Sequence, residues 1–283
     1  MDPKYVAQLA QLAMLLEVSS SPKPGNIDRD HDYEDTRYEH FLASAVAVFP
    51  VFEEASQSES GVGKLVREAV EESNRWQSGG NTSFGTFLML IPLIMAAGQS
   101  EGYEEVKEKA DQIMRETTSQ DAVDLYKAFG DTDIKVKVVS DLDVNNPSSI
   151  EKIRGEDLTF YRIMSISAPY DLISRELTGG FERSFKYASE IKKRAREMST
   201  NDSIVYTYLK ALSEEPDTFI AVKFGEEKAI SISKEALEVL DGTGEEKIRE
   251  FDERLIRDKI NPGSTADIIV AAIFLALLDG LQL

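Results

Sequence analysis

The sequence predicts an all-α protein, a single globular multi-helix domain over residues 1–283, on three observations. Apolar residues recur at steps of three and four along most of the chain, the spacing that gathers them on one face of a helix. Two stretches, "FGTFLMLIPLIMAAG" (84–98) and "ADIIVAAIFLALLDG" (266–280), are apolar on nearly every face and read as central helices wrapped by more charged ones. Strand alternation is confined to one short segment, and neither a fixed-period repeat nor a Gly/Ser- or Pro-rich linker divides the chain.

In chain order, Val6, Leu9, Leu12, Ala13 and Leu16 give the first helix, and the same spacing predicts helices over about 38–55, 63–77, 84–97, 102–117 and 120–129. Ile134, Val136 and Val138 then alternate beside the turn at Asn145-Asn146-Pro147. One strand cannot make a sheet, so at most a small β excursion near 133–146 is expected. Helical spacing resumes over about 168–195, 202–213, 217–240, 245–258 and 265–280.

Composition narrows the function. With 42% hydrophobic and 29% charged residues, the 283-residue chain has enough apolar material for a sizeable core. A net charge of −19 disfavours nucleic acid as a partner, because such binding relies on Lys and Arg neutralising phosphates. An anionic ligand must then be met locally, by a few basic residues, by helix N-termini or through a divalent cation. The absence of cysteine removes thiolate chemistry, and His31 and His40 alone cannot build a multi-histidine metal centre. The start of the chain does not read as a signal peptide. The longest apolar run, Ile268 to Leu278, is too short to span a bilayer, so the expectation is a cytoplasmic protein with no membrane partner.

The unusual sequence lies at the N-terminal ends of helices. In "SSSPKPGNIDRDHDYEDT" (19–36), Pro22 and Pro24 forbid helix, Gly25-Asn26 favours a tight turn, and Lys23 and Arg29 stand among Asp28, Asp30, His31 and Asp32. Such a loop suits a metal–triphosphate ligand, or else is a solvated connector that caps the next helix. Asp28, Asp30, Asp32 and Glu39 also match positions 1, 3, 5 and 12 of a calcium loop, but Tyr33 occupies the position that needs Gly, which rejects that reading. "SGGNTSFGT" (78–86) carries Gly80, Asn81 and Thr82 into the first apolar helix, where free N–H groups of the first turn can cradle phosphate. "NPGSTADI" (261–268) has the same design before the second, with Asn261, Gly263 and Ser264, and the spacing from Ser264 to Asp267 matches a capping box. Capping alone would explain either loop. Both apolar helices nevertheless begin in glycine-containing polar loops, so their ends are expected to converge. "SAPYDLISRELTGGF" (167–181) places Asp171 and Arg175 on one helical face, as pocket ligands or as a surface ion pair.

Together these segments resemble the triphosphoribosyl-dephospho-CoA synthase family, which acts in making the prosthetic group of citrate lyase and malonate decarboxylase. The matching residues are Ser21-Pro22-Lys23-Pro24-Gly25-Asn26, Gly80-Asn81-Thr82 with Gly85-Thr86, Ala168-Pro169 through Arg175-Glu176, and Asn261-Pro262-Gly263-Ser264 with Ala266-Asp267. They run in order over nearly the whole chain, while the extended acidic segment after Asn26 and the 131–155 insertion mark a divergent branch. The resemblance implies transfer of the triphosphoribosyl group of ATP to 3′-dephospho-CoA, or to a related hydroxyl acceptor, with release of adenine and use of Mg²⁺.

Attack on the anomeric carbon of ATP passes through a cation-like sugar, so it needs a carboxylate near that carbon and a base for the acceptor hydroxyl. Asp28, Asp32 and Asp171 are the candidates for metal or sugar, with His31 as a candidate acid or base because imidazoles as a class exchange protons near neutrality. Lys23, Arg29 and Arg175, with Gly25, Asn26, Asn261 and the amides at 80–82 and 263–265, are the candidates for the nucleotide and its phosphates. Another Mg²⁺-dependent ATP or phosphoribosyl enzyme, a phosphotransferase or an N-glycosidic hydrolase, is the main alternative. A non-enzymatic helical binding module is the second; it predicts no stabilisation by ATP, whereas a true ligand at 100 times its Kd adds roughly 2.7 kcal/mol. A homodimer is the base-rate expectation for assembly.

Overall fold

The apolar periodicity becomes sixteen helices among the described residues of a computed structural model, which comprise 1–80, 82–130, 142–143, 146, 148–242 and 244–283. The N-terminal half is built from α1 (Pro3–Ser19), α2 (Tyr38–Ala47), α3 (Phe49–Ala55), α4 (Val62–Trp76), α5 (Phe84–Gln99), α6 (Tyr103–Arg115) and α7 (Ser119–Gly130). Then follow α8 (Ser148–Gly155), α9 (Phe160–Ser167), α10 (Leu172–Thr178), α11 (Glu182–Arg194) and α12 (Thr200–Glu214). The chain closes with α13 (Thr218–Phe224), α14 (Glu226–Asp241), α15 (Glu245–Arg257) and α16 (Gly263–Leu278).

Where long helices were expected, backbone chemistry divides them. The 38–55 stretch breaks at Val48, because Pro50 fits only the first turn of a new helix. The 217–240 stretch breaks at Gly225, whose φ of +92° no helix interior allows. The 168–195 stretch starts late, at Leu172 behind its N-cap Asp171, and breaks at Gly179-Gly180. The eight-residue helices α8 and α9 went unpredicted; two turns give too little periodicity to read, although Thr159 caps α9 through the Arg162 N–H. Among the described residues there is no strand. Of the excursion expected near 133–146, only Leu142, Asp143 and Asn146 are described, and the rest of it lies outside the described residues.

The two apolar helices take the central positions the sequence assigns them. Every residue of α5 from Thr86 to Ala97 is buried, as is nearly all of α16. They pack on each other, with α6 and α4 against α5 and α11, α12 and α1 against α16. One continuous apolar core results, drawing on helices from α1 to α16. No helix among the described residues is long and apolar enough to cross a membrane.

Candidate active site

The N-terminal ends of α5 and α16 meet. A Cβ on Gly85 would lie 2.0 Å from Asp267 Oδ2, so glycine is what lets the first turn of α5 close on α16. Thr86 donates its hydroxyl to Asp267 Oδ1 at 2.6 Å. Burial pushes the Asp267 carboxyl up to about 8, against the opposing pull of the Thr86 hydroxyl and N–H. At neutral pH this carboxyl holds its proton.

A second buried carboxyl organises the same end. Asp217 is the N-cap of α13, accepting from the Ile220 N–H at 3.0 Å, and it also accepts from Thr265 N (2.7 Å) and Thr265 Oγ1 (2.8 Å) in the first turn of α16. Burial raises its pKa to about 6. The capping box expected from Ser264 to Asp267 therefore does not form: α16 begins at Gly263, is capped from outside by Asp217, and frees Asp267 for Thr86. Thr218 Oγ1 lies 3.0 Å from Ser264 Oγ and 3.4 Å from Asp171 Oδ1, which ties α13, α16 and α10 into one polar corner.

The loop between α1 and α2 forms the facing wall. Asp28, fully buried, accepts from Lys23 N through Oδ2 and from the N–H groups of Asp30 and His31 through Oδ1, which folds the loop around its carboxylate. Lys23 is fully buried too; its ammonium pairs with Glu17 at the end of α1 and donates to Asn26 Oδ1 at 3.3 Å. Gly25, at φ +76°, donates its N–H to Asp252 Oδ1 of α15 at 2.9 Å, and a Cβ there would sit 2.2 Å from the Ile260 carbonyl. Asn26 Nδ2 donates to Asn261 Oδ1 at 2.9 Å, so the first and third sequence loops touch as expected of a shared site.

These walls enclose a cavity of about 520 Å³, within the ~300–1,000 Å³ usual for small-molecule sites. Among the predicted residues, Asn26, Thr82, Asp171, Asn261, Gly263 and Ser264 line it. Lys23, Gly25 and Asp28 stand behind the wall as its internal supports. His31 lies beyond it with Nδ1 3.0 Å from Asp252 Oδ2, and Arg29 and Gly80 are exposed. Asp32 accepts from Tyr38 N at 2.7 Å and so helps start α2. Asn81 lies outside the described residues. Asp171 and Arg175 do not share a helical face: Asp171 precedes α10 as its N-cap, while Arg175 turns to Glu215 and to the Ala168 carbonyl. The expected metal set of Asp28, Asp32 and Asp171 is not gathered; Asp28 groups instead with His31 and Asp252.

Sequence reading missed the carboxyls carried inside helices, Glu17, Asp252 and Asp267, and the N-cap Asp217. Asp267 had a legible signal, since it is an acidic residue at the head of a helix apolar on every face. Asp252 had none, because α15 is charged throughout. Among the described residues, the cavity wall holds five carboxyl groups, Glu17, Glu34, Asp35, Asp171 and Asp267, against two lysines, Lys223 and Lys259. Lys259 is paired with Glu34 at 3.0 Å. Uncharged polar side chains such as Asn26, Thr86, Ser174 and Asn261 share the wall with an apolar lobe, in which Phe84 stacks at a tilt on Phe129, ring centroids 4.6 Å apart, near Tyr126, Ile163, Met164 and Ile173.

The family model described as ATP:dephospho-CoA triphosphoribosyl transferase matches residues 3–283. The structure is similar to a crystal structure from Archaeoglobus fulgidus, provisionally described as a triphosphoribosyl-dephospho-CoA synthase. That similarity has a TM-score of 0.72 and 31% sequence identity over 85% of this chain and 100% of that one. No curated protein matches the chain.

Proposed function

Since the chain belongs to the ATP:dephospho-CoA triphosphoribosyl transferase family, a family of pentosyltransferases, we propose that it joins the triphosphoribosyl group of ATP to a ribose hydroxyl of 3′-dephospho-CoA and releases adenine. The observation that carries this reading is the buried Asp267 carboxyl at the meeting point of two helix N-termini in the cavity wall, where burial pushes its pKa up to about 8.

The reaction breaks the bond from the ribose C1′ to N9 of adenine and forms one from C1′ to the acceptor oxygen. The acceptor hydroxyl gives up a proton and adenine leaves with one, so the site needs an acid and a base. Asp267 is the acid, because burial keeps it protonated at neutral pH and the cavity gives it access to the leaving base. Asp171, held by the Ser174 N–H at 2.7 Å, is the carboxylate that steadies the cation-like sugar and takes the acceptor proton. His31 lies behind the wall and has no part in the transfer.

Among the described residues, five carboxyl groups face two lysines, which makes the cavity a poor host for a bare triphosphate, so ATP enters as its Mg²⁺ complex. The ion comes with the substrate, since Asp28, Asp32 and Asp171 are too scattered to hold one. Lys223 and Lys259, the first turns of α5 and α16, and Asn26, Thr82, Asn261, Gly263 and Ser264 meet the nucleotide. The apolar lobe around Phe84 and Phe129 takes the adenine ring or the pantetheine arm.

Chromatography of the products from ATP, Mg²⁺ and 3′-dephospho-CoA tests the reading. Adenine that appears only with the acceptor is the expected result. ADP as the product would make the protein a phosphotransferase, and adenine formed equally without acceptor would make it a hydrolase.

A further inference from the structure

Asp28, His31 and Asp252 form a second cluster outside the cavity wall, on the far side of the loop that lines it. One ligand-capable atom from each lies within 4.8 Å of the others. His31 Nδ1 is 3.0 Å from Asp252 Oδ2 and 3.9 Å from Asp28 Oδ1. At 3.0 Å an imidazole and a carboxylate ordinarily share a hydrogen bond. Here both atoms are buried and neither is in one, although Asp252 is fully buried and His31 Nδ1 is shielded from solvent. Atoms that share a metal ion behave in this way: with donors about 2.1 Å from the ion, two ligands at right angles lie about 3.0 Å apart, their lone pairs aimed at the ion and not at each other.

The outer supports of such a site are also present. Asp252 Oδ1 accepts from the Gly25 N–H, and Asp28 accepts from the N–H groups of Lys23, Asp30 and His31, so each carboxylate is oriented by backbone donors. We infer that Asp28, His31 and Asp252 bind one divalent first-row transition-metal ion, which clamps the loop between α1 and α2 to α15. A mixed set of one imidazole nitrogen and two carboxylates suits Mn²⁺, Fe²⁺ or Zn²⁺ better than Mg²⁺, which favours oxygen and retains its water. The partly exposed edge of His31 leaves room for water to complete the coordination. The ion is structural: the same loop presents Asn26, Ile27 and Tyr33 to the cavity, so clamping its outer side fixes the substrate wall without touching substrate.

The test is Mn²⁺ titration of the EDTA-stripped full-length protein in excess Mg²⁺, followed by electron paramagnetic resonance, with pulsed detection of ¹⁴N coupling from a bound imidazole. One tightly held Mn²⁺ per chain with ¹⁴N coupling is expected, and the coupling should vanish in His31→Gln. Because the chain has two histidines, coupling that survives in His31→Gln assigns the ion to His40 and overturns the proposal. Asp252→Asn should weaken Mn²⁺ about tenfold or more. His31→Gln, altered at a partly exposed side chain, keeps the test valid if Asp252→Asn does not fold. Absence of any Mn²⁺ that resists Mg²⁺ leaves His31 and Asp252 as a plain ion pair and also overturns it.

Discussion

At the scale of residues, Asp267 sets stability against chemistry. Its folded pKa of about 8 lies above the ordinary 3.8, so the folded chain holds a proton that the unfolded chain releases. The sign follows: its contribution is fully present below about pH 4 and is lost as pH rises through about 8. Asp217, raised to about 6, acts in the same direction over a narrower window. Asp267→Asn keeps the shape and removes the titration, so its melting temperature should gain on the wild type at pH 8 far more than at pH 5. Parallel melting curves across that range would show that Asp267 is not held protonated. Asp217→Ala uncaps two helices and strands the Thr265 donors, which should lower stability by about 2–4 kcal/mol in urea unfolding. Asp267 had a signal in its place at the head of an all-apolar helix, but Asp217 had none. Asp28 and Asp171 stood out because they lie in loops with prolines and glycines, whereas Asp217 reads as one acid in a charged stretch until the fold brings Thr265 to it.

At the scale of elements, the central pair α5 and α16 was plain in the sequence, since helices apolar on every face have nowhere else to go. The convergence of their N-terminal ends was also expected from the two glycine-containing loops. What the sequence did not show is how close they come. Gly85→Ala would drive a methyl group into Asp267, so it should cost about 1–3 kcal/mol of stability and most of the activity. Gly155→Ala, with nothing within 4 Å of the added atom, is the control and should melt at the wild-type temperature or slightly above it. A Gly85→Ala protein with wild-type melting and turnover would mean that the two helices are not fixed at that distance. Helix boundaries were less legible, because Gly225 and the Gly179-Gly180 pair interrupt apolar patterns that continue across them.

At the scale of the whole molecule, a chain of net charge −19 would, on the proposed reading, meet its anionic substrate locally, through helix ends, two lysines and the Mg²⁺ that accompanies the triphosphate. The longer helices were legible because they depend on local periodicity, while the two-turn helices α8 and α9 were not. The assembly of the site was not, because it depends on contacts across the chain: Ser21 bonds Asn201, Gly25 bonds Asp252, and Asn26 bonds Asn261. On the proposed mechanism, transfer takes place in this cavity with Asp267 as the proton donor. Its most direct test is the rate of acceptor-dependent adenine release by Asp267→Asn as a function of pH. Asp267→Asn should show a kcat about 10²–10⁴ below the wild type with little change in KM for ATP, and should lose the wild type's decline above about pH 8. A wild-type kcat with the same alkaline decline would contradict it, and would place the acid elsewhere in the molecule.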